Sequence, residues 1–374
     1  MLYLDNEDVK RLLKMNDCMR SIESIYKEFA IGDATYRHRI DVFIPSAKTD
    51  SYFRWGSMEG GSRNTVFAIR MKSDMVYWKD WEAGTTQEKY CVRPGLFCGF
   101  ILLFSVINGE PLAMINDGYL QHMRVAACAG LGVKYLARED SGMVGVIGSG
   151  GMARTYLMAF CEVRKIKKAK VYSPTKSHRE EYAKEMQEAL HIEVEAVDHP
   201  YDAVRGSDIV ATCTDSLTPV IRKEWIERGM HVTNANGSEI GDDVIAGTDI
   251  VVRLGEQTLY AAVDKRKNRH SSSIDYTGHG IFSYIAGQPH EVRRIPRKEV
   301  QKIYRDESRS VFLADLVSGE QQGRKSREDI TFFDNRGTQG LQFAAVGKQV
   351  VDLARLKGLG RSLNTDWFLQ EIRD

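Results

Sequence analysis

The sequence predicts an α/β protein: a parallel sheet with helices packed on its faces in the middle of the chain, behind a mostly antiparallel sheet unit. Three observations predict it. Apolar β-rich runs alternate with helical patterns between residues 144 and 252. A glycine-rich turn, Gly148-Ser149-Gly150-Gly151-Met152-Ala153, stands between an apolar run and a helical one. Before it, from Arg37 to Ile115, short β-rich runs follow one another without helices between them. A chain of 374 residues suggests two domains.

The elements follow in order. Asn16 or Asp17 caps a helix whose Ile22, Ile25, Tyr26 and Phe29 share one face and which Gly32 ends. Strands are expected at 52–55, 66–71, 75–78, 97–107 and 111–115, with Asn108-Gly109 as a hairpin turn between the last two. Asp117 or Gly118 opens a helix over 119–136 that is rich in small residues. The parallel strands are expected at 144–147, 169–172, 192–196, 209–212, 231–233 and 250–252. The stretch 264–299 is polar, basic and dotted with glycine, and reads as an insertion or long loop. A late helix places Phe343, Val346, Val350 and Leu353 on one face and stops near Gly358 and Gly360.

Composition excludes several function classes. A formal net charge of +1 gives no global field to recruit nucleic acid or a membrane surface. The longest apolar run, 96–107, falls short of the roughly 20 residues that span a bilayer. The six cysteines form no C-x-x-C pair, and neither they nor the nine histidines fall at metal-ligand spacing. No metal is expected, and reduced thiols without an apolar leader point to a cytoplasmic protein. The basic cluster Lys265-Arg266-Lys267-Asn268-Arg269 lacks interleaved aromatics and reads as a solvated insertion.

The glycine-rich turn carries the first chemistry. Gly148 permits the tight turn, Gly150 lets backbone approach a pyrophosphate, and Ala153 lets helix and strand pack closely. Free N–H groups at the helix start, in the run from Ser149 through Gly151 and Met152, would bind the anion. This is the fingerprint of a Rossmann dinucleotide-binding domain. Where an NAD enzyme places an acid after the second strand, this chain has Ser173, Thr175, Lys176 and Arg179, and no acid before Glu180. Hydroxyls and cations suit a 2′-phosphate, so NADP(H) is favoured and NAD(H) is possible. The plainer alternative is that Lys176 and Arg179 are solvated residues of the next helix.

Four further segments, in this order, complete a pattern: Asn108-Gly109-Glu110-Pro111-Leu112-Ala113, Gln121-His122-Met123-Arg124-Val125-Ala126-Ala127, Thr212-Cys213-Thr214-Asp215-Ser216-Leu217-Thr218-Pro219-Val220 and Gly229-Met230-His231-Val232. Together they resemble the ornithine cyclodeaminase/μ-crystallin family over most of the chain. The resemblance implies a homodimer. It implies a dimerisation and substrate domain formed by 1–124 with the C-terminal 335–374, and a Rossmann domain over 125–334. It places Thr212 and Thr214 at the cofactor. It implies that Arg39 (with Arg37 as rival), Lys72 and Arg124 hold a substrate carboxylate. Two guanidinium groups can clamp a carboxylate, and a lysine between cations loses its proton more readily, which suits acid–base work. The alternative is that these are surface cations in a chain that holds 52.

Departures from the family's pattern bear on the substrate. Glu239 stands near the position of an aspartate that handles the ornithine amine; it is a catalytic contact or a helix N-terminal carboxylate. Asn335, Thr338 and Gln339 are candidates for the pocket wall, and His279 for a lid. The implied activity is NAD(P)-dependent redox chemistry at the α-carbon of an amino or imino acid, by an imine (ketimine) reductase or an amino-acid dehydrogenase. The alternatives are an ornithine cyclodeaminase-type lyase and an NADPH-dependent small-ligand binding or accessory protein.

Overall fold

A computed structural model describes residues 1–47, 50–81, 84–255, 273–276, 282–285 and 310–372. Two sheets organise it. The first contains β1 (Leu2–Leu4), β2 (Ala34–Pro45), β3 (Tyr52–Ser62), β4 (Phe67–Trp81), β5 (Gly84–Tyr90), β6 (Cys98–Phe104) and β7 (Pro111–Asn116). The second contains β8 (Met143–Ile147), β9 (Lys168–Tyr172), β10 (Glu193–Ala196), β11 (Ile209–Thr212), β12 (His231–Asn234) and β13 (Ile250–Arg253). Later strands divide between them. β14 (Ser273–Tyr276), β15 (Phe282–Ile285) and β18 (Arg361–Ser362) join the first, while β16 (Ser310–Phe312) and β17 (Thr331–Asp334) join the second. The helices are α1 (Asn6–Leu12), α2 (Met15–Ala30), α3 (Gly118–Leu136), α4 (Gly151–Val163), α5 (Lys176–Leu190), α6 (Pro200–Val204), α7 (Asp242–Ala246), α8 (Leu313–Ser318) and α9 (Gln339–Lys357).

The second sheet runs β10-β9-β8-β11-β12-β17-β13-β16, with every pairing parallel. It is the expected α/β architecture. The expected strands lie within a residue or two of their places; α2 starts slightly earlier than expected, with Lys14 at its N-cap. Phe332 and Phe333, where no strand was expected, are fully buried in the internal strand β17.

The first sheet runs β14-β15-β2-β3-β4-β6-β7-β1-β18, with β5 added to β4. The two runs expected at 66–71 and 75–78 are one strand, β4. Its first half pairs with β6 and its second half with β5. Two strands placed inside 264–299 pair with β2 through β15, so this part of the stretch extends the first sheet and not the Rossmann unit. His279 and the basic residues 265–269 lie outside the described residues.

α3 joins the two units, and its small residues explain its packing. Ala126, Ala127, Cys128, Ala129 and Gly130 are buried against α2 and α4, where larger side chains would hold the helices apart. α9 returns to the first sheet. There the backbone of Gly340 meets that of Glu59 and Gly60 so closely that a Cβ at Gly340 would lie 1.9 Å from the Glu59 carbonyl oxygen. That contact docks the C-terminal helix on the sheet face that carries the site.

Candidate active site

Pairing across the first sheet builds one row: Asp41 on β2 faces Gly56 on β3, which faces Lys72 on β4, which faces Gly99 on β6. Glycine on both sides leaves lateral room beside Lys72. Neighbouring side chains use it. The Asp41 carboxylate and the Arg39 guanidinium occupy the space a Cβ at Gly56 would need, and the Asp117 carboxylate occupies that at Gly99. Arg70, Lys72 and Asp74 alternate along β4 and therefore share this face.

Asp41 and the two aspartates that flank the row, Asp74 and Asp117, each hold an arginine. Arg39 Nε donates to Asp41 at 2.8 Å, Arg54 Nη2 to Asp74 at 2.5 Å, and Arg70 Nε to Asp117 at 2.6 Å. Among the described residues, Lys72 Nζ pairs with the already shared Asp74, at 3.5 Å. Burial, then the neighbouring Lys89 ammonium, push Lys72 down from the ordinary lysine range to about 7. A lysine that loses its proton readily was expected, but the cations that disfavour its charge are Lys89 and Arg70 rather than the two expected arginines.

Between the rival arginines a bulge decides. The β2–β3 register shifts between Arg37 and Ile40, and a bulge re-aims the side chains beyond it. Arg37 pairs with Glu59 and its side chain is 55% exposed, whereas that of Arg39 is 19% exposed and lies in the cluster.

Arg124 is the most unusual cation. It is buried, and its Nη1 and Nη2 donate to the neutral acceptors Gln342 at 2.6 Å and Gln121 at 2.9 Å. Its guanidinium lies 4.7 Å from the Phe343 ring centroid, and no carboxylate pairs with it among the described residues. Desolvation lowers it to about 10. Gln342 is fixed in turn by Tyr26 and Thr338, so Thr338 orients the acceptor that holds Arg124. Asn335 donates to the Val125 carbonyl and the Tyr156 hydroxyl. Both residues brace the site from behind, where the sequence suggested a pocket wall.

His122 connects this cluster to the glycine-rich turn. A Cβ at Gly151 would lie 2.8 Å from its Cε1, and its ring feels the charges of Lys72, Arg124, Lys89 and Asp117. Burial first, then the three cations, lower its affinity for a proton. Sequence reading passed over His122, Arg54, Arg70, Asp74, Lys89 and Asp117. The one available signal was period-2 spacing on β4, which puts Arg70 and Asp74 beside Lys72.

The turn itself fits a dinucleotide. Gly148 has φ +110 and packs against the Cys213 carbonyl, an approach no side chain could share. Gly150 has open space around it, and α4 begins at Gly151 with its N–H groups free for an anion. The Ser149 hydroxyl donates to Ser173 at 2.9 Å, which closes the turn on the end of β9. The buried Thr212 hydroxyl at the end of β11 has no hydrogen-bond partner among the described residues. Thr214, one turn on, accepts from the Ser216 N–H.

Glu239 is fully buried, and its carboxylate accepts from the backbone N–H groups of Thr214, Ala235 at 3.1 Å and Asn236 at 2.7 Å. It ties together the loops that leave β11 and β12. Burial raises it to about 7 against the pull of these hydrogen bonds. Beyond β9, Thr175 is the N-cap residue of α5, and the exposed Lys176 lies 3.8 Å from Glu180. Arg179 is buried, donating to the Ser173 carbonyl at 2.9 Å and to Asp198 at 2.5 Å. Among the described residues, no helix is long and apolar enough to cross a membrane, and no group of acids, histidines and cysteines could hold a metal.

Known proteins resemble this chain over most of its length. An alanine dehydrogenase of Archaeoglobus fulgidus is 25% identical over 97% of this chain and 98% of its own. A Delta(1)-pyrroline-2-carboxylate reductase of Bacillus cereus is 29% identical over 71% of this chain and 74% of its own. The solved structure of the Thermococcus litoralis Delta(1)-pyrroline-2-carboxylate reductase in complex with NADH and L-proline superposes with a TM-score of 0.73 at 25% identity, covering 97% of this chain and all of that one. The pattern of the ornithine cyclodeaminase/mu-crystallin family matches residues 2–357, and the chain belongs to that family.

Proposed function

We propose that this NAD(P)-dependent oxidoreductase reduces an α-imino acid, a cyclic one such as pyrroline-2-carboxylate, with NADPH as the favoured reductant. The observation that carries the reading is Arg124: a buried guanidinium without a carboxylate, on the helix whose His122 touches the nucleotide turn. A buried cation left uncompensated is costly, and a substrate carboxylate relieves it. Arg39 would approach the same carboxylate from β2.

The turn 148–153 and Ser173 would hold the dinucleotide, which supplies the hydride when bound. The chain's residues do the rest. Arg124 fixes the carboxylate and so sets the α-carbon on the turn's side of the cluster. Lys72 holds a proton at Nζ and gives it to the substrate nitrogen as that nitrogen gains electron density. In the oxidative direction, neutral Lys72 takes the proton back. Phe343 closes the apolar side against water. Glu239, with both oxygens on backbone N–H groups, supports the loops over the site, so a cyclodeaminase reading gains no free carboxylate from it.

The NADPH preference rests on Ser173, Thr175 and the exposed Lys176 where an acid would select NAD. Asp198 offsets part of Arg179's charge. A homodimer rests on the outer face of the first sheet, where Trp55, Ile69, Met71, Phe100, Leu102 and Met114 are half-buried with nothing described over them. Light scattering expects twice the chain mass. The deciding experiment follows reduced-cofactor absorbance, NADPH and NADH separately, with pyrroline-2-carboxylate and with α-keto acids plus ammonia. Consumption with an imine establishes the reading. Cofactor binding without consumption makes the protein a ligand binder.

A further inference from the structure

α3 and α4 lie side by side and run parallel. A Cβ at Gly130 of α3 would lie 3.1 Å from the Cβ of Ala159 on α4, and a Cβ at Gly151, the first residue of α4, would lie 2.8 Å from Cε1 of His122 on α3. From 122 to 130 and from 151 to 159 both helices advance by the same number of residues, so the start of α4 stands beside the early turns of α3. The imidazole fills the place where Gly151 has no side chain. The ring atoms nearest that place are Cε1 at 2.8 Å, Nδ1 at 3.2 Å and Nε2 at 3.5 Å. These three atoms form the nitrogen-bearing edge of the ring, so its polar edge faces the glycine-rich turn.

Arg124 stands two residues further along α3, and side chains two apart on a helix point nearly opposite ways. Arg124 turns toward Gln342 and Phe343 of α9, and His122 turns toward α4. What the ring meets there is a set of donors. Gly151, Met152 and Ala153 open α4 with N–H groups that have no acceptor within the helix, and none of the three brings a charged side chain. Lys72 on β4, Lys89 on β5 and Arg124 add positive charge at the ring; the opposing charge is Asp117 at the N-cap of α3, which already binds Arg70. Among the described residues no hydrogen bond engages either ring nitrogen. A ring N–H beside helix N–H groups sets donor against donor, and an anion between them satisfies both.

We propose that His122 is a binding residue for the dinucleotide: its nitrogen-bearing edge donates to the diphosphate that the start of α4 receives, and the ring takes up a proton from solvent as that diphosphate arrives. This rests on the turn being the dinucleotide site, and it is tested without turnover. Burial lowers the ring's affinity for a proton, Asp117 opposes this, and Lys72, Arg124 and Lys89 deepen it. Against two phosphate charges the balance reverses. Binding therefore draws in a proton, and cofactor affinity rises as pH falls. No bond of the cofactor changes; the proton goes to the imidazole and stays there until the dinucleotide leaves.

The experiment titrates the full chain with NADH by calorimetry, in buffers of different protonation enthalpy at about pH 6.5, the ordinary imidazole range. NADH is the probe because, unlike NADPH, it carries no phosphate that titrates there. The protein should take up about 0.3 proton or more per site, and H122Q should bind NADH about tenfold more weakly with the uptake lost. ADP-ribose, which keeps the diphosphate and lacks the nicotinamide, should give the same uptake. Gly151→Ala, whose Cβ would need the space of the ring, should displace the imidazole and lower the uptake too, should H122Q not fold. In proton NMR the Cε1–H signal of His122, identified by its loss in H122Q, should titrate at higher pH with NADH bound than without. NADH binding with no proton uptake overturns the proposal, as does an uptake that survives H122Q. A His122 signal that responds to L-proline added to the NADH-bound protein, and not to NADH, also overturns it and assigns the ring to the substrate. Failure to bind either dinucleotide sinks the reading of the turn and this proposal with it. Protonation driven by NADH in a protein that reduces no imine sinks the proposed activity and leaves His122 in its place.

Discussion

The glycine-rich turn and the lysine–arginine cluster touch through His122, yet they are built in opposite ways. The turn is one contiguous stretch, uncharged, with open space at Gly150, and its binding groups are backbone N–H donors. The cluster draws on β2, β3, β4, β5, α3 and α9, is charged throughout, and closes on buried side chains. An added side chain is the main hazard in the turn, because backbone must meet ligand. In the cluster the balance of charge matters most, because each buried ion needs a counter-charge. Function in the turn therefore depends on local conformation, and in the cluster on long-range assembly.

Substitutions can separate the two. The largest effect is expected for Lys72→Met: turnover should fall by about 10²–10⁴-fold, the range for loss of a general acid or base. The dissociation constant for cofactor, read by fluorescence, should stay within about twofold. Retained turnover would remove Lys72 from the chemistry.

Arg124→Met comes next. KM for the imino acid should rise by about 100-fold, the loss of roughly 2–3 kcal/mol from a charge-assisted contact. The melting temperature should fall little, since an apolar side chain replaces a buried cation that has no carboxylate. A large loss of stability with an unchanged KM would make Arg124 a structural residue.

Gly148→Ala tests the other side of the comparison. A Cβ there would lie 2.3 Å from the Cys213 carbonyl oxygen at φ +110. Strain of about 1–3 kcal/mol should weaken cofactor binding, read by fluorescence, tenfold or more, and binding within about twofold of the unchanged protein would remove the turn from the cofactor site. The smallest effect is expected for Lys176→Ser: about fivefold weaker NADPH binding, worth ~1 kcal/mol at an exposed ion pair, and none for NADH. Equal losses for both cofactors would place Lys176 away from the 2′-phosphate.

The two regions also differ in how far the sequence exposes them. Gly148 to Ala153 lie on six consecutive residues between a strand and a helix, so spacing alone reveals them. Lys72 and Arg124 carry family motifs and could be named, though not their partners. Asp41, Gly56, Lys72 and Gly99 are adjacent only through strand register, and Lys89 shares their face only because β5 takes over the edge of β4 that β6 leaves. Arg37 and Arg39, two residues apart, look equivalent until the bulge separates them. Asn335, Thr338 and Glu239 are polar residues in loops of the right region, but their hydrogen bonds turn them inward.

The sequence by itself determined the α/β class, the places of six parallel strands, the glycine-rich turn, the linking helix and the family, because each depends on residues within a few positions of one another or on periodicity. The tertiary structure decided which cations share one face of the first sheet, which aspartate each arginine takes, and that Lys72 lies between Arg70 and Asp74 on that face. These follow from pairing between strands far apart in the chain, and the energy of a buried charge depends on what lies within a few ångströms of it, whatever the separation in sequence.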